Sequence, residues 1–162
     1  MTDPTVVSPS DVAFLRRAID LAARSRAGGN HPFGALLVAP GGRVVEAMNS
    51  VVTESDPTGH AETNLVRLAA ADLSSDEMHA STLYTSTEPC AMCSGAIYWA
   101  GIPRVVYALP EQSLAALVPA QDGEPTMDLP CRNVFAAGGR KVHVAGPALE
   151  DEAALVHDGF WA

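Results

Sequence analysis

Basic residues are scarce in this chain: ten Lys and Arg stand against nineteen Asp and Glu, a formal net charge of −9. The densest basic pairs are Arg16-Arg17 and Arg140-Lys141, and no larger cluster exists. Proteins that grip nucleic acid draw most of their affinity from neutralised phosphates, so this balance argues against DNA or tRNA as a partner. Cysteine is also sparse. Three thiols are an odd number and too few for a disulfide framework, which fits a reducing cytoplasm. No apolar run approaches the ~20 residues needed to cross a bilayer, so no membrane partner is expected. Residues Met1 to Ser10 carry neither a basic n-region nor an apolar h-region, so no secretory signal is expected. Repeats, low-complexity tracts and linkers are missing too.

What remains is a chain of 162 residues, 48% hydrophobic, long enough for one domain with a core that needs no staples. Ser8-Pro9-Ser10-Asp11 offers an N-cap, a proline at the first helical position and an acid at N3. Val12, Leu15, Ile19 and Ala22 then share one face of a helix that Gly28-Gly29 stops. Residues 33–39 and 44–48 flank Pro40-Gly41-Gly42, a hairpin signal. After a turn-rich loop the pattern predicts a helix at about 60–72, a strand at 81–86, a helix with Pro89 in its first turn, and a strand at 104–108. The order α-β-β-α-β-α-β predicts an α/β fold with a mixed sheet, its strand-helix-strand unit forming a parallel pair. Residues 110–131, punctuated by prolines, read as an irregular loop with a short helix. Residues 141–144 read as a last strand and 149–157 as a last helix.

Cys90-Ala-Met-Cys93 carries the chemistry and admits three readings: a redox dithiol, half of a structural zinc knuckle, or half of a catalytic metal site. His60-Ala61-Glu62 opens the other crossover helix. Two helix N-termini can face one another at the sheet edge where open α/β sheets bind ligands. One His and two Cys are three ligands, one short of a closed structural tetrahedron, which leaves a position for water. Zinc in such a site lowers the pKa of that water, and a carboxylate that is not a ligand, Glu62, can carry protons.

H-A-E at 60–62 and P-C-A-M-C at 89–93 reproduce the H-x-E…P-C-x-x-C pattern of zinc deaminases. From about residue 10 to 109 the chain resembles the cytidine deaminase-like superfamily. The resemblance implies a three-layer α/β/α sandwich with a mixed five-stranded sheet. It implies one CMP/dCMP-type deaminase domain over 1–162, whose segment at about 141–162 caps the active site. It further implies one Zn²⁺ per subunit on His60, Cys90 and Cys93, with Glu62 as proton carrier, and a homodimer in the cytoplasm. The words H-P-F-G-A at 31–35, D-P-T-G-H-A-E at 56–62, L-Y-T-S-T-E-P-C-A-M-C at 83–93 and G-A-I-Y-W-A at 95–100 look like bacterial guanine deaminases, and G-I-P-R at 101–104 is similar to fungal-type cytosine deaminases.

By the same resemblance Asn49 and the Ala61 N–H would bond the base, Phe33 would pack on the ring, and Trp99 would lie near it. The blander readings are that Asn49 ends a strand and Trp99 is core. The tail aromatics Phe160 and Trp161 read as a lid over the pocket, their own or a neighbour's, or as a plug on the sheet. The expected reaction is hydrolytic deamination of a free nucleobase, guanine to xanthine and ammonia. Cytosine, isocytosine or an amino-triazine is the alternative substrate, and a nucleoside or tRNA adenosine, or a non-enzymatic zinc fold, are further readings. One feature departs from the guanine pattern. Guanine deaminases commonly place a second carboxylate after the strand ending near Tyr107, and Ala108 to Ser113 does not match that word. Glu111, Asp122, Glu124 and Asp128 remain unassigned acids. Cys131 reads as a buried small hydrophobe. His31, His79, His143 and His157 show no ligand pattern.

Overall fold

The computed structural model describes residues 3–118 and 127–161. Asp122 and Glu124 lie outside the described residues. The elements are α1 (Pro9–Ala27), β1 (Gly34–Val38), β2 (Val44–Met48), α2 (Ala61–Asp72), α3 (Ser75–Met78), β3 (Thr82–Thr87), α4 (Ala91–Ala100), β4 (Arg104–Leu109), α5 (Glu111–Leu117), α6 (Cys131–Ala136), β5 (His143–Ala145) and α7 (Glu150–Leu155). The five strands form one sheet in the order β2-β1-β3-β4-β5. β1 pairs antiparallel with β2 and β3, whereas β3–β4 and β4–β5 are parallel, so the sheet is mixed as expected.

Alternation along the strands builds the three layers. Ala35, Leu37, Leu83, Val105 and Tyr107 face Ala61, Leu65, Ala69 and Ile97 of α2 and α4, with Phe135 of α6. Leu36, Tyr84, Val106 and Ala108 face Leu15, Ala18 and Ile19 of α1 and Ala153 of α7. Gly34 permits a close approach of β1 to α1, because a Cβ there would lie 2.5 Å from the Leu21 side chain. The β1–β2 hairpin turns through a single 3₁₀ turn at Pro40–Gly42, in which Gly41 and Gly42 take φ of +79° and +82°.

The entry to α1 is tied to the sheet. Ser8 and Asp11 form the expected capping box. Asp11 also receives both Nη1 and Nη2 of Arg104 on β4, each at 2.9 Å, and the Tyr84 hydroxyl of β3 at 2.7 Å. Burial alone would raise the Asp11 pKa, but the hydrogen bonds from Arg104, Ser8 and Tyr84 hold it well below the usual carboxylate range.

Some boundaries differ from the sequence expectation. Pro89 precedes α4 rather than opening it: Cys90 is the N-cap, and Ala91 is the first helical residue. The Ser74–Glu77 capping box nucleates α3, a turn too short for periodicity to reveal. Two short helices, α5 and α6, flank the proline-rich stretch. The last strand falls at 143–145, where His143, Val144 and Ala145 pair with Arg104, Val105 and Val106.

Candidate active site

The C-terminal end of β3 delivers the chain into α4, and the loop after β2 delivers it into α2. Cys90 and His60 are the N-caps of these helices, and neither uses its side chain to cap. Both side chains turn instead toward one point. The His60 Nδ1 lies 3.6 Å from Cys90 Sγ and 3.5 Å from Cys93 Sγ. In a zinc tetrahedron with the usual bond lengths, the nitrogen-to-sulfur edge is about 3.6 Å. The three donor atoms all lie within 4.8 Å of one another, and Glu62 is outside that group. The donor set therefore fits zinc with three protein ligands.

The charges fit as well. The Cys90 thiol is pushed down to about 4, chiefly by a hydrogen bond from Cys93, against burial and with help from His60. Cys93 is pushed far up: its thiol hydrogen-bonds Cys90, is buried, and would be a further negative charge beside Cys90 and Glu62. The first proton leaves this pair readily and the second does not, a penalty that a divalent cation offsets.

Glu62 is 5% exposed, on the first turn of α2. Its Oε2 lies 3.5 Å from Cys93 Sγ, and its Oε1 lies 2.7 Å from the Thr85 hydroxyl, which also reaches Thr87 O at 2.9 Å. Burial raises the Glu62 pKa, and the charge of Cys90 raises it further. A carboxyl held this way takes up a proton more readily than a solvated one.

A cavity of about 90 Å³ opens over this cluster, lined by Phe33, His60, Glu62, Thr87, Glu88, Cys90, Glu111 and Leu114. Glu88 holds its far wall together. Its Oε2 accepts the Glu111 N–H and its Oε1 the Cys131 N–H, each at 3.0 Å, so one buried carboxylate caps both α5 and α6. Glu111 is pushed up to about 7 by burial and by the nearby charges of Glu88, Cys90 and Asp128. Sequence reasoning named Glu111 without a role and missed Thr85, Thr87 and Glu88. The available signal was the run of polar residues closing a strand, Thr85 to Glu88, just before the cysteines.

Not every expected contact is brought to the cavity. Phe33 lines it. Ala61 is buried as the first residue of α2, where its N–H has no intrahelical acceptor. Asn49 is buried after β2, accepts the Val51 N–H at 3.1 Å, and lines a separate groove between β2 and α2. Trp99 is neither core nor cavity: it is 83% exposed and packs edge-on against Tyr98. At about 100° per residue it falls on the side of exposed Met92, opposite to Cys93 and Ile97.

The tail lies on its own chain. Trp161 sits 5.4 Å from His31 and 6.2 Å from Phe33 between ring centroids, and Phe160 lies 5.9 Å from His31 under the Arg26 guanidinium. The Trp161 indole N–H donates to His157 Nδ1 at 3.1 Å. Trp161 thus packs against Phe33 and Phe160 against Trp161, and neither is among the residues lining the cavity. Cys131 is fully buried in the core, as expected, and burial pushes its thiol up.

Comparison with known proteins agrees with this geometry. The chain is 40% identical over 157 residues to a probable cytosine deaminase of Schizosaccharomyces pombe, a match covering 97% of this chain and 96% of that protein. It is 47% identical over 96 residues to the guanine deaminase of Bacillus subtilis, covering 59% of this chain and 62% of that one. The solved guanine deaminase of Nitrosomonas europaea superposes with a TM-score of 0.74 at 25% identity, over 94% of this chain and 84% of that chain. Residues 8–109 match the model of the cytidine and deoxycytidylate deaminase zinc-binding region, and the chain belongs to that family.

Proposed function

We propose that this protein is a zinc-dependent hydrolase of carbon–nitrogen bonds in cyclic amidines, deaminating a free nucleobase. The carrying observation is Glu62: a buried carboxyl beside three donors spaced for zinc, yet outside the ligand group. A purely structural site has no use for an acid there. Zinc on His60, Cys90 and Cys93 supplies a Lewis acid that lowers the pKa of water toward neutrality.

The chain's own residues do the rest. Glu62 takes one proton from the attacking water and delivers it to the ring nitrogen of the amidine. It then passes the second to the departing amine, so that water and the amino base become the oxo base and ammonia. Thr85 holds the Glu62 carboxyl through the 2.7 Å contact. Phe33 and Leu114 provide apolar walls for a flat ring. Trp161 backs Phe33, Phe160 packs on Trp161, and the two cap the site from the 141–162 segment, within one deaminase domain spanning 1–162. The Ala61 N–H contacts the base from the start of α2, while Asn49, on the adjoining groove, holds the loop after β2 through the Val51 N–H.

Guanine is the first substrate, on the local words at 83–93 and the likeness to guanine deaminases. Cytosine is the second reading, favoured by the near full-length likeness to the probable cytosine deaminase. The enzyme works as a cytoplasmic homodimer. Exposed Met92 and Trp99 on α4 and Leu68 on α2 supply the apolar face that a second copy covers. Ammonia release from guanine, cytosine, isocytosine, adenine, ammeline and the matching nucleosides tests the assignment. Turnover of free bases above nucleosides supports it, and preference for a nucleoside overturns it.

A further inference from the structure

Thr87 is the polar group of the cavity wall that neither the metal ligands nor the fold employs. It closes β3, is 3% exposed, and its Oγ1 is buried with no hydrogen-bond partner among the described residues. Its neighbours are engaged. Thr85 bonds Glu62 and the Thr87 carbonyl, and both Glu88 oxygens accept backbone N–H groups. A buried hydroxyl left without a partner costs the fold its hydration and returns nothing until a ligand arrives.

Ligands to zinc apart, the polar side chains lining the cavity are Glu62, Glu88, Glu111 and Thr87. Glu62 is committed to proton transfer and Glu88 to capping. That leaves one carboxylate, an acceptor, and one hydroxyl, the single neutral O–H donor of the wall. An acceptor and a donor lining one cavity complement a ring edge that offers a donor and an acceptor together, as the lactam –NH–C(=O)– and the amidine –N=C(NH2)– both do.

We infer that Thr87 Oγ1 is a substrate-binding hydroxyl, donating to an acceptor atom on the edge of the base while Glu111 accepts an N–H of the same ring. This rests on the nucleobase reading above. A site built to bond a polar group rejects the analogue lacking it, because its own buried group is then left unpaired.

The test compares Thr87→Val, nearly isosteric without the hydroxyl, with Thr87→Ser, which keeps it. The panel is guanine, cytosine, isocytosine, adenine and melamine. In Thr87→Val, kcat/KM on the best base is expected to fall about 10- to 100-fold. Thr87→Ser stays within about threefold. Binding of the same base to zinc-loaded Glu62→Gln protein, read by calorimetry, weakens by a similar factor when Thr87→Val is added. The melting temperature of Thr87→Val without substrate is equal to or above that of the parent, since an unpaired polar group has been removed. An unchanged kcat/KM and Kd in Thr87→Val, or a lowered melting temperature, overturns the inference. If the parent protein binds and turns over none of the bases, the nucleobase reading itself has failed.

Discussion

Glu62, Cys90, Cys93 and His60 were legible in the sequence because each lies within a turn of a helix start, and helix starts are marked locally by loop-to-periodicity changes. Thr87, Glu88 and Glu111 were not legible, because their roles depend on what lies across from them. Glu88 matters only where α5 and α6 bring two N–H groups to one carboxylate, and nothing in its neighbours along the chain announces that. Trp99 shows the reverse error: an aromatic in the right word, carried by helical phase to the outer face of α4. The residue-scale prediction concerns the proton carrier. Glu62→Gln should keep zinc at one per chain, measured by atomic emission. It should lower kcat by roughly 10³-fold, the scale of general acid–base catalysis by a positioned group. Unchanged ammonia release from the zinc-loaded variant would remove Glu62 from the mechanism.

Among the elements, α1, the β1–β2 hairpin, α2, β3, α4 and β4 follow the sequence pattern closely, since each pairs a clean periodicity with a stop signal. The stretch after β4 does not, because α5, α6, β5 and α7 have three to seven residues each and are held by tertiary contacts more than by periodicity. The α1 entry carries a testable load. Asp11 is depressed in the folded state, so its contribution is fully present above the ordinary carboxylate range and is lost as pH falls below that range toward the lowered folded value. Asp11→Asn leaves Arg104 without its partner and should cost about 3 kcal/mol, seen as a drop in melting temperature at neutral pH. The difference from the parent should shrink in acid. The tail predicts a second pH effect. His157 is 4% exposed and is lowered from 6.5 to about 4, first by burial and then by Arg26, with Asp158 opposing. A protonated ring cannot accept the Trp161 N–H, so docking of the tail is full above pH 6.5 and weakens as pH falls toward 4. In a Trp99→Phe background, Trp161 emission should shift to the red across that window and show no such shift in His157→Gln.

At the scale of the whole molecule, a net charge of −9 and a 48% hydrophobic composition find their places in different ways. Among the described residues most of the charge lies at solvent-facing positions, with Asp11, Glu62 and Glu88 buried. The apolar excess fills two core layers and leaves Met92, Trp99 and Leu68 on the outer side of α2 and α4. No helix of the described residues is long and apolar enough to cross a membrane. Covering the exposed face with a second copy should make the protein a dimer in analytical ultracentrifugation, and Trp99→Arg should shift it to monomer while the folded far-UV signal persists. The central claim is that a zinc ion on His60, Cys90 and Cys93 serves catalysis by this fold on a free base. It is tested most directly by stripping the protein with a chelator, returning zinc in graded amounts, and measuring ammonia release from its best base at each step. The stripped protein should release none, and the rate should rise in proportion to zinc up to one per chain. A rate independent of zinc, or fully loaded protein that releases no ammonia from any base, would contradict it.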